Sequence, residues 1–269
     1  MAKSIFELRE AYFSYPGKIP ALCGINLDIE EGSRVAIIGS NGTGKSTLLL
    51  MLDALLFPHK GTIKFLGKEL KEALFNDPGF TRSFRSRVGF VFQNSDIQLF
   101  CPTVKEDIIF GPLQLGISQE QINRRLDKII GIFNIAHLLP RPGHRLSAGE
   151  KKKVALASVL IIEPQVLLLD EPTAGLDPQT IRNIIDIILE FNQTGKTIIT
   201  ATHDLHIVEE IAGSVHILGR DKNIIRTGAP VQILSDQDFL RENNLTHIHS
   251  HRHQDTIHTH PHLHTEHHH

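Results

Sequence analysis

One eight-residue segment constrains this chain more than any other. Gly39-Ser40-Asn41-Gly42-Thr43-Gly44-Lys45-Ser46 fits G-x-x-x-x-G-K-[ST] without a mismatch. The apolar run 35–38 before it reads as a buried strand, and the apolar run 45–56 after it reads as a helix stopped by Phe57-Pro58. That context matters because glycines let backbone N–H groups turn inward around phosphates. The helix dipole then places partial positive charge beneath them. Lys45 can reach β- and γ-phosphates, and the Ser46 hydroxyl can ligate Mg²⁺, with Thr47 following in the same turn. A chance glycine-rich turn would lack the flanking strand and helix.

The remaining pattern places this loop in a mixed fold. Residues 5–13 and 22–29 read as early strands around the turn Tyr15-Pro16-Gly17. Residues 62–65, 88–92, 166–169, 197–200, 215–218 and 224–225 are further strands. The stretches 103–136, 178–191 and the segment ending at Ile211 read as helices. Strands alternating with helices imply an α/β fold with a parallel sheet, and the strand-rich start implies an antiparallel β edge.

A second carboxylate-bearing motif supports nucleotide chemistry. The apolar strand Val166-Leu167-Leu168-Leu169 ends in Asp170-Glu171. Asp170 is placed to hold the Mg²⁺ shell and Glu171 to polarise an attacking water. Alone, two acids at a strand end are commonly just solvated. Leu146-Ser147-Ala148-Gly149-Glu150 has the capping-box spacing and marks a helix N-terminus. The Lys151-Lys152-Lys153 run after it reads, alone, as a solvated face.

Taken in order, the phosphate loop, Gln93, Leu-Ser-Ala-Gly-Glu, Asp-Glu-Pro, Ala174-Gly-Leu-Asp177 and Thr202-His203 resemble the ATP-binding-cassette ATPase family. The resemblance runs from about Ser4 to Leu234. It implies the P-loop NTPase core with an inserted helical subdomain, about 94–162, within a domain 1–245. It implies ATP and Mg²⁺ as ligands. Tyr15 is similar to the aromatic that stacks on adenine, with Tyr12 as the alternative. Gln93 resembles the glutamine that joins the Mg²⁺ site to the helical subdomain. Asp177 resembles the aspartate at the dimer interface, and His203 the switch histidine near the γ-phosphate. Ala148 departs from the usual glycine. In the family the signature faces the phosphate loop of another cassette, so Ser147 and Gly149 are expected to act in trans. That makes the chain a homodimer or the partner of another cassette.

The stretch from Gln93 to Pro112 is similar to cassettes of energy-coupling-factor importers, especially the cobalt and nickel branch. It implies a groove for a coupling helix from integral membrane subunits and a peripheral location on the cytoplasmic face of the membrane. An importer for a vitamin or another ion is the alternative. A soluble, non-transport cassette ATPase is a further one. Composition bears on these readings. The 28 basic and 30 acidic residues give a net charge of -2, which argues against nucleic acid as a partner. The two cysteines, Cys23 and Cys101, do not make a disulfide framework. The first ten residues carry no apolar signal core, and no apolar run approaches the ~20 residues that span a bilayer.

Histidine is the outlier, with 11 of its 17 residues after position 246. His247, His249, His251 and His253, then His258, His260, His262 and His264, alternate with other residues in a tail, 246–269, expected to be flexible. Neutral imidazoles are common ligands of Ni²⁺, Co²⁺ and Zn²⁺. A purification tag or an inert solvated tail are the competing readings. The interspersed Thr, Ile, Arg, Gln, Asp, Pro and Leu do not look like a tag.

Overall fold

Two sheets sandwich one helix, and the sequence says why. In the computed structural model, which describes residues 3–253 and 256–263 and side chains as far as residue 245, Ser4–Tyr15 (β1) pairs antiparallel with Ile19–Glu30 (β2). Arg34–Ile38 (β3) leaves this pair for a second sheet, while Lys60–Phe65 (β4) and Lys68–Glu69 (β5) complete the first in the order β2-β1-β4-β5. The second sheet takes Val88–Val91 (β6), Val166–Asp170 (β7), Thr197–Thr202 (β8), Ser214–Leu218 (β9) and Ile224–Gly228 (β10). Its order is β10-β9-β3-β8-β7-β6, parallel except where β10 meets β9. The antiparallel edge of the parallel sheet is therefore β10, and the strand-rich start forms a separate sheet.

Lys45–Leu52 (α1) lies between the two sheets. Leu48, Leu49, Met51 and Leu52 are all fully buried, as an all-round apolar helix must be. They pack with Phe6, Leu8 and Ile63 on one side and Ile37, Leu168 and Ile199 on the other. The alternate strand positions face outward. Leu167, Leu169 and Ile198 meet Ala148–Leu160 and the inserted helices, and Ala36, Ile38, Val215 and Ile217 meet Leu205–Ile211. Both faces of the parallel sheet are covered, which is why β7 and β8 are buried along their whole length.

Two expected helices have other bounds, and one helix stands where none is expected. α1 ends at Leu52, not at residue 56, because Ala54 turns into the left-handed region at φ 52°. Asp53 is buried there against Arg85, 2.9 Å away, and burial pushes its carboxyl up to about 7 despite that partner. Pro78–Arg85 (α2), which carries Arg85, was not anticipated. Its signal was Asp77 as N-cap and Pro78 in the first turn. The stretch 103–136 divides into Val104–Gln114 (α3) and Gln119–Phe133 (α4), broken at Gly116 with φ 73°. Thr103 and Ser118 cap the two pieces.

The remaining helices are Ala148–Leu160 (α5), Pro178–Gln193 (α6), Leu205–Ile211 (α7), Pro230–Ser235 (α8) and Gln237–Glu242 (α9). Beyond them Thr246–His253 (β11) and Thr256–Leu263 (β12) pair antiparallel. Their register sets His247 opposite His262, His249 opposite His260 and His251 opposite His258. His264 lies outside the described residues. No helix among the described residues is long and apolar enough to cross a membrane.

His216 on β9 gives the fold a sign-specific pH response. It is buried, Nδ1 lies 2.9 Å from the Thr227 hydroxyl, and burial holds its pKa down at about 4. An unfolded histidine takes its proton near ~6.5. Between those values the unfolded chain binds more protons, so this contribution to stability is lost as pH falls through the window, by roughly 3 kcal/mol in all. Urea unfolding of wild type and His216→Gln from pH 7.5 to 4.5 should show the two curves converging as the pH drops. A constant difference would contradict the assignment.

Candidate functional site

The carboxyl ends of β3, β7 and β8 lie side by side at the centre of the parallel sheet. Each delivers one part of the site to the same edge, where the strand order reverses. β3 runs into the phosphate loop. β7 ends in Asp170 and Glu171, and β8 ends in Thr202 and His203.

The loop owes its shape to two glycines. Gly42 has φ 75°, and Gly44, at the N-cap of α1, has φ 108°. A Cβ on Gly44 would lie 2.3 Å from the Ala21 carbonyl oxygen. Lys45 curls back over the loop, donating to the Gly39 carbonyl at 2.7 Å and toward that of Ser40 at 3.4 Å. The Thr43 hydroxyl donates to the Ser40 carbonyl at 2.9 Å. Lys45 Nζ is also 3.9 Å from Glu171 Oε1, with both side chains buried. Burial lowers its pKa, while Glu171 and Asp170 oppose that shift.

The carboxylate pair is set differently at each residue. Asp170 hydrogen-bonds Ser46, while its buried Oδ1 has no hydrogen-bond partner. Burial raises its pKa against that hydrogen bond. A buried carboxylate oxygen left over beside a hydroxyl is a good match for a hard, oxygen-seeking cation. Ser46, Asp170 and the amide oxygen of Gln93 fit Mg²⁺ by donor type. Glu171 adopts φ 43°, a strained conformation for glutamate. It is held by the Thr202 hydroxyl, 3.0 Å from Oε2, and by His203 Nδ1, 2.8 Å from Oε1. Its backbone N–H donates to the Ala201 carbonyl. A carboxylate fixed in this way can accept a proton from a water at one defined place.

A cavity of about 620 Å³ opens over these groups. Tyr15, Asn41, Gly42, Gly44, Lys45, Ser46, Thr47, Gln93, Glu171 and His203 line it. Tyr15 packs edge-on against Phe13, and its hydroxyl lies 3.2 Å from that of Thr47. Tyr12 points elsewhere, under the Lys60 ammonium and toward Glu10. Sequence reasoning missed Lys222, which also lines the cavity and donates to the Gly42 carbonyl. It comes from a surface turn with no motif to mark it.

Ser147, Gly149 and Asp177 are not in this cavity. They line a second hollow of about 300 Å³ with Ala148 and Thr180. Ser147 caps α5 through a complete capping box, with Glu150 accepting from the Ser147 N–H at 2.7 Å. Ala148 stands in the first turn of that helix, where its methyl fits the backbone. Asp177 caps α6, accepting from the Thr180 N–H at 3.0 Å. Two helix N-termini thus sit exposed together, apart from the phosphate loop of their own chain. The Lys run behind Ser147 is not a solvated face throughout: Lys152 is only 3 % exposed.

A loop, a carboxylate pair and a histidine so arranged define a nucleoside-triphosphate hydrolase of the P-loop class. Residues 22–174 match the ABC transporter family, and the chain belongs to it, as an ATP-binding subunit. It is 48% identical over 243 residues to the nickel import ATP-binding protein NikO of Rhodobacter capsulatus, covering 89% of this chain and 95% of that one. It is 40% identical over 241 residues to the energy-coupling factor transporter ATP-binding protein EcfA of Methanocaldococcus jannaschii, covering 90% and 85%. The fold is shared with cbiO1 of Clostridium perfringens, part of the ABC transporter complex cbiONQ. There the TM-score is 0.76 and the identity 37%, covering 90% of this chain and 95% of that one. The protein is therefore an ATPase coupled to transport, working with ATP and Mg²⁺.

Proposed function

We propose that this chain powers import of a transition-metal cation, nickel or cobalt, through a partner membrane complex from its cytoplasmic face. The 48% identity to a nickel import ATP-binding protein carries this reading. The likeness to cbiO1 and the histidine-rich tail support it. Relatives named only for energy-coupling factor transport leave import of a vitamin or another ion as the second reading.

In the proposed cycle the loop N–H groups and Lys45 hold the phosphates, while Tyr15 stacks on the base and Thr47 flanks the phosphates. Ser46, Gln93 and Asp170 would hold Mg²⁺, which would supply positive charge against that building on the phosphate oxygens. Glu171 orients and deprotonates the attacking water, and His203 braces that carboxylate and reaches toward the γ-phosphate. Ser147, Gly149 and Asp177 complete the site of a second cassette, identical or different. Their separation from the chain's own phosphate loop supports a dimer. Closure then moves the groove around residues 93–104 and with it the membrane subunits. Purification from membranes tests this reading: integral membrane subunits should accompany the chain, and ATPase stimulated by nucleic acid instead would overturn it.

The tail is proposed to hold the imported class of metal, through His247, His249, His251, His253, His258, His260, His262 and His264. Six of them form three pairs opposite one another in the hairpin register. Deleting residues 246–269 should lower Ni²⁺ and Zn²⁺ stoichiometry in equilibrium dialysis without changing metal-free ATP turnover. Unchanged stoichiometry would remove the tail from the account.

A further inference from the structure

Lys152 is a buried cation that the ATPase chemistry above does not use. Its ammonium donates to two backbone carbonyls, Phe92 at 3.0 Å and Gln93 at 2.8 Å. Both belong to the loop that leaves β6 for the helical subdomain. Two more side-chain ties run alongside. Lys151 Nζ is 2.6 Å from Asp96 Oδ1. Gln98 Nε2 donates to the Ala155 carbonyl at 2.9 Å, while Gln98 Oε1 accepts from the Phe92 N–H at 3.3 Å. Three residues of α5, at 151, 152 and 155, therefore clasp residues 92–98.

We propose that Lys152 is a positioning residue that locks the Gln93 loop to the helix carrying Ser147, so that one ATP site senses the other. This rests on the dimer reading above. In that dimer the N-terminus of α5 enters the site of the partner cassette, whereas Gln93 belongs to the chain's own site. Ser147 and Lys152 are five residues apart, about 7.5 Å along one rigid helix. A displacement of the α5 terminus by nucleotide in one site is carried directly to the backbone of Gln93 in the other.

The chemistry suits a rigid coupling. Hydrogen bonds from an ammonium to carbonyls are charge-assisted and directional. A buried ammonium also carries a desolvation cost that an apolar side chain of similar volume would not. Here burial pulls the Lys152 pKa down to about 8, with Asp170 and Glu171 opposing the shift. Packing alone would be served as well by methionine.

The test uses the full-length protein with Lys152→Met and Lys152→Arg. It reads kcat, KM and the Hill coefficient of ATP hydrolysis, together with the Kd for a fluorescent ATP analogue. For wild type the coefficient should lie above 1 and below about 2, the number of coupled sites. Lys152→Met should bring it to about 1 and lower kcat about tenfold, a loss of ~1.4 kcal/mol, with Kd unchanged. Lys152→Arg, which keeps charged donors, should restore most of both. A folded Met chain with wild-type kcat and Hill coefficient overturns the proposal, as does a loss that Arg leaves unrepaired. Should the Met chain not fold, Gln98→Met removes a parallel tie and carries the same expectation for the coefficient; no change there also overturns it. If Glu171→Gln dimerises with ATP while these variants keep their cooperativity, the clasp fails and the dimer stands.

Discussion

Glu171→Gln should reduce ATP turnover by about 10²–10⁴-fold while leaving nucleotide binding intact. The substitution keeps the size of the side chain and a hydrogen-bonding group for Thr202 and His203, which lie 3.0 and 2.8 Å from the carboxylate. It removes the ability to take a proton from water, together with the negative charge 3.9 Å from Lys45. The backbone at φ 43° and the bond from its N–H to the Ala201 carbonyl are retained, so the loop should hold its shape. Because the nucleotide then persists, the ATP-bound dimer should accumulate. Gel filtration with ATP and Mg²⁺ should show twice the monomer mass, and the same protein without nucleotide should elute as before. A variant that hydrolyses ATP at the wild-type rate would remove Glu171 from the role of base. A persistent monomer would remove the proposed joining of Ser147 and Gly149 to a second phosphate loop.

Lys45→Ala should fail differently. Lys45 is buried at the floor of the cavity, with Nζ on the Gly39 carbonyl and near Glu171. Alanine deletes a cation that touches phosphates in both the bound and the transition states. Nucleotide Kd should therefore rise, and turnover should fall about 10²–10³-fold, comparable to losing one preorganised donor. Isothermal titration with ATP separates the two variants: Glu171→Gln retains affinity and Lys45→Ala loses it. Uptake driven by the cassette should be abolished with Lys45→Ala, and undiminished uptake would sink the role given to the loop.

Much of this site could be read in the sequence because its parts are local. The phosphate loop is eight consecutive residues between a strand and a helix, and Asp170-Glu171 ends an apolar strand. The structure brings the loop and Glu171, with Tyr15, Gln93 and His203, around one cavity, and buries Asp170 beside Ser46. What spacing could not supply was long-range pairing. Lys222 reaches Gly42 from a turn 180 residues away. Lys152 looked like one of three surface lysines because a run of like charges hides which one points inward. Two helix boundaries escape the pattern for local reasons, a left-handed Ala54 and a break at Gly116, and one whole helix does so because the N-cap at Asp77 precedes a polar run. The separate antiparallel sheet was not foreseen, since alternation alone does not say which sheet a strand joins.

In the proposed function this ATPase drives a transition-metal ion across a membrane. The measurement closest to it is uptake by proteoliposomes holding the complex isolated from its membranes, with ATP supplied on the side of this chain. A panel of Ni²⁺, Co²⁺, Zn²⁺ and a vitamin should show ATP-dependent accumulation of Ni²⁺ or Co²⁺ that Glu171→Gln abolishes. Accumulation of the vitamin with none of the metals would contradict the account.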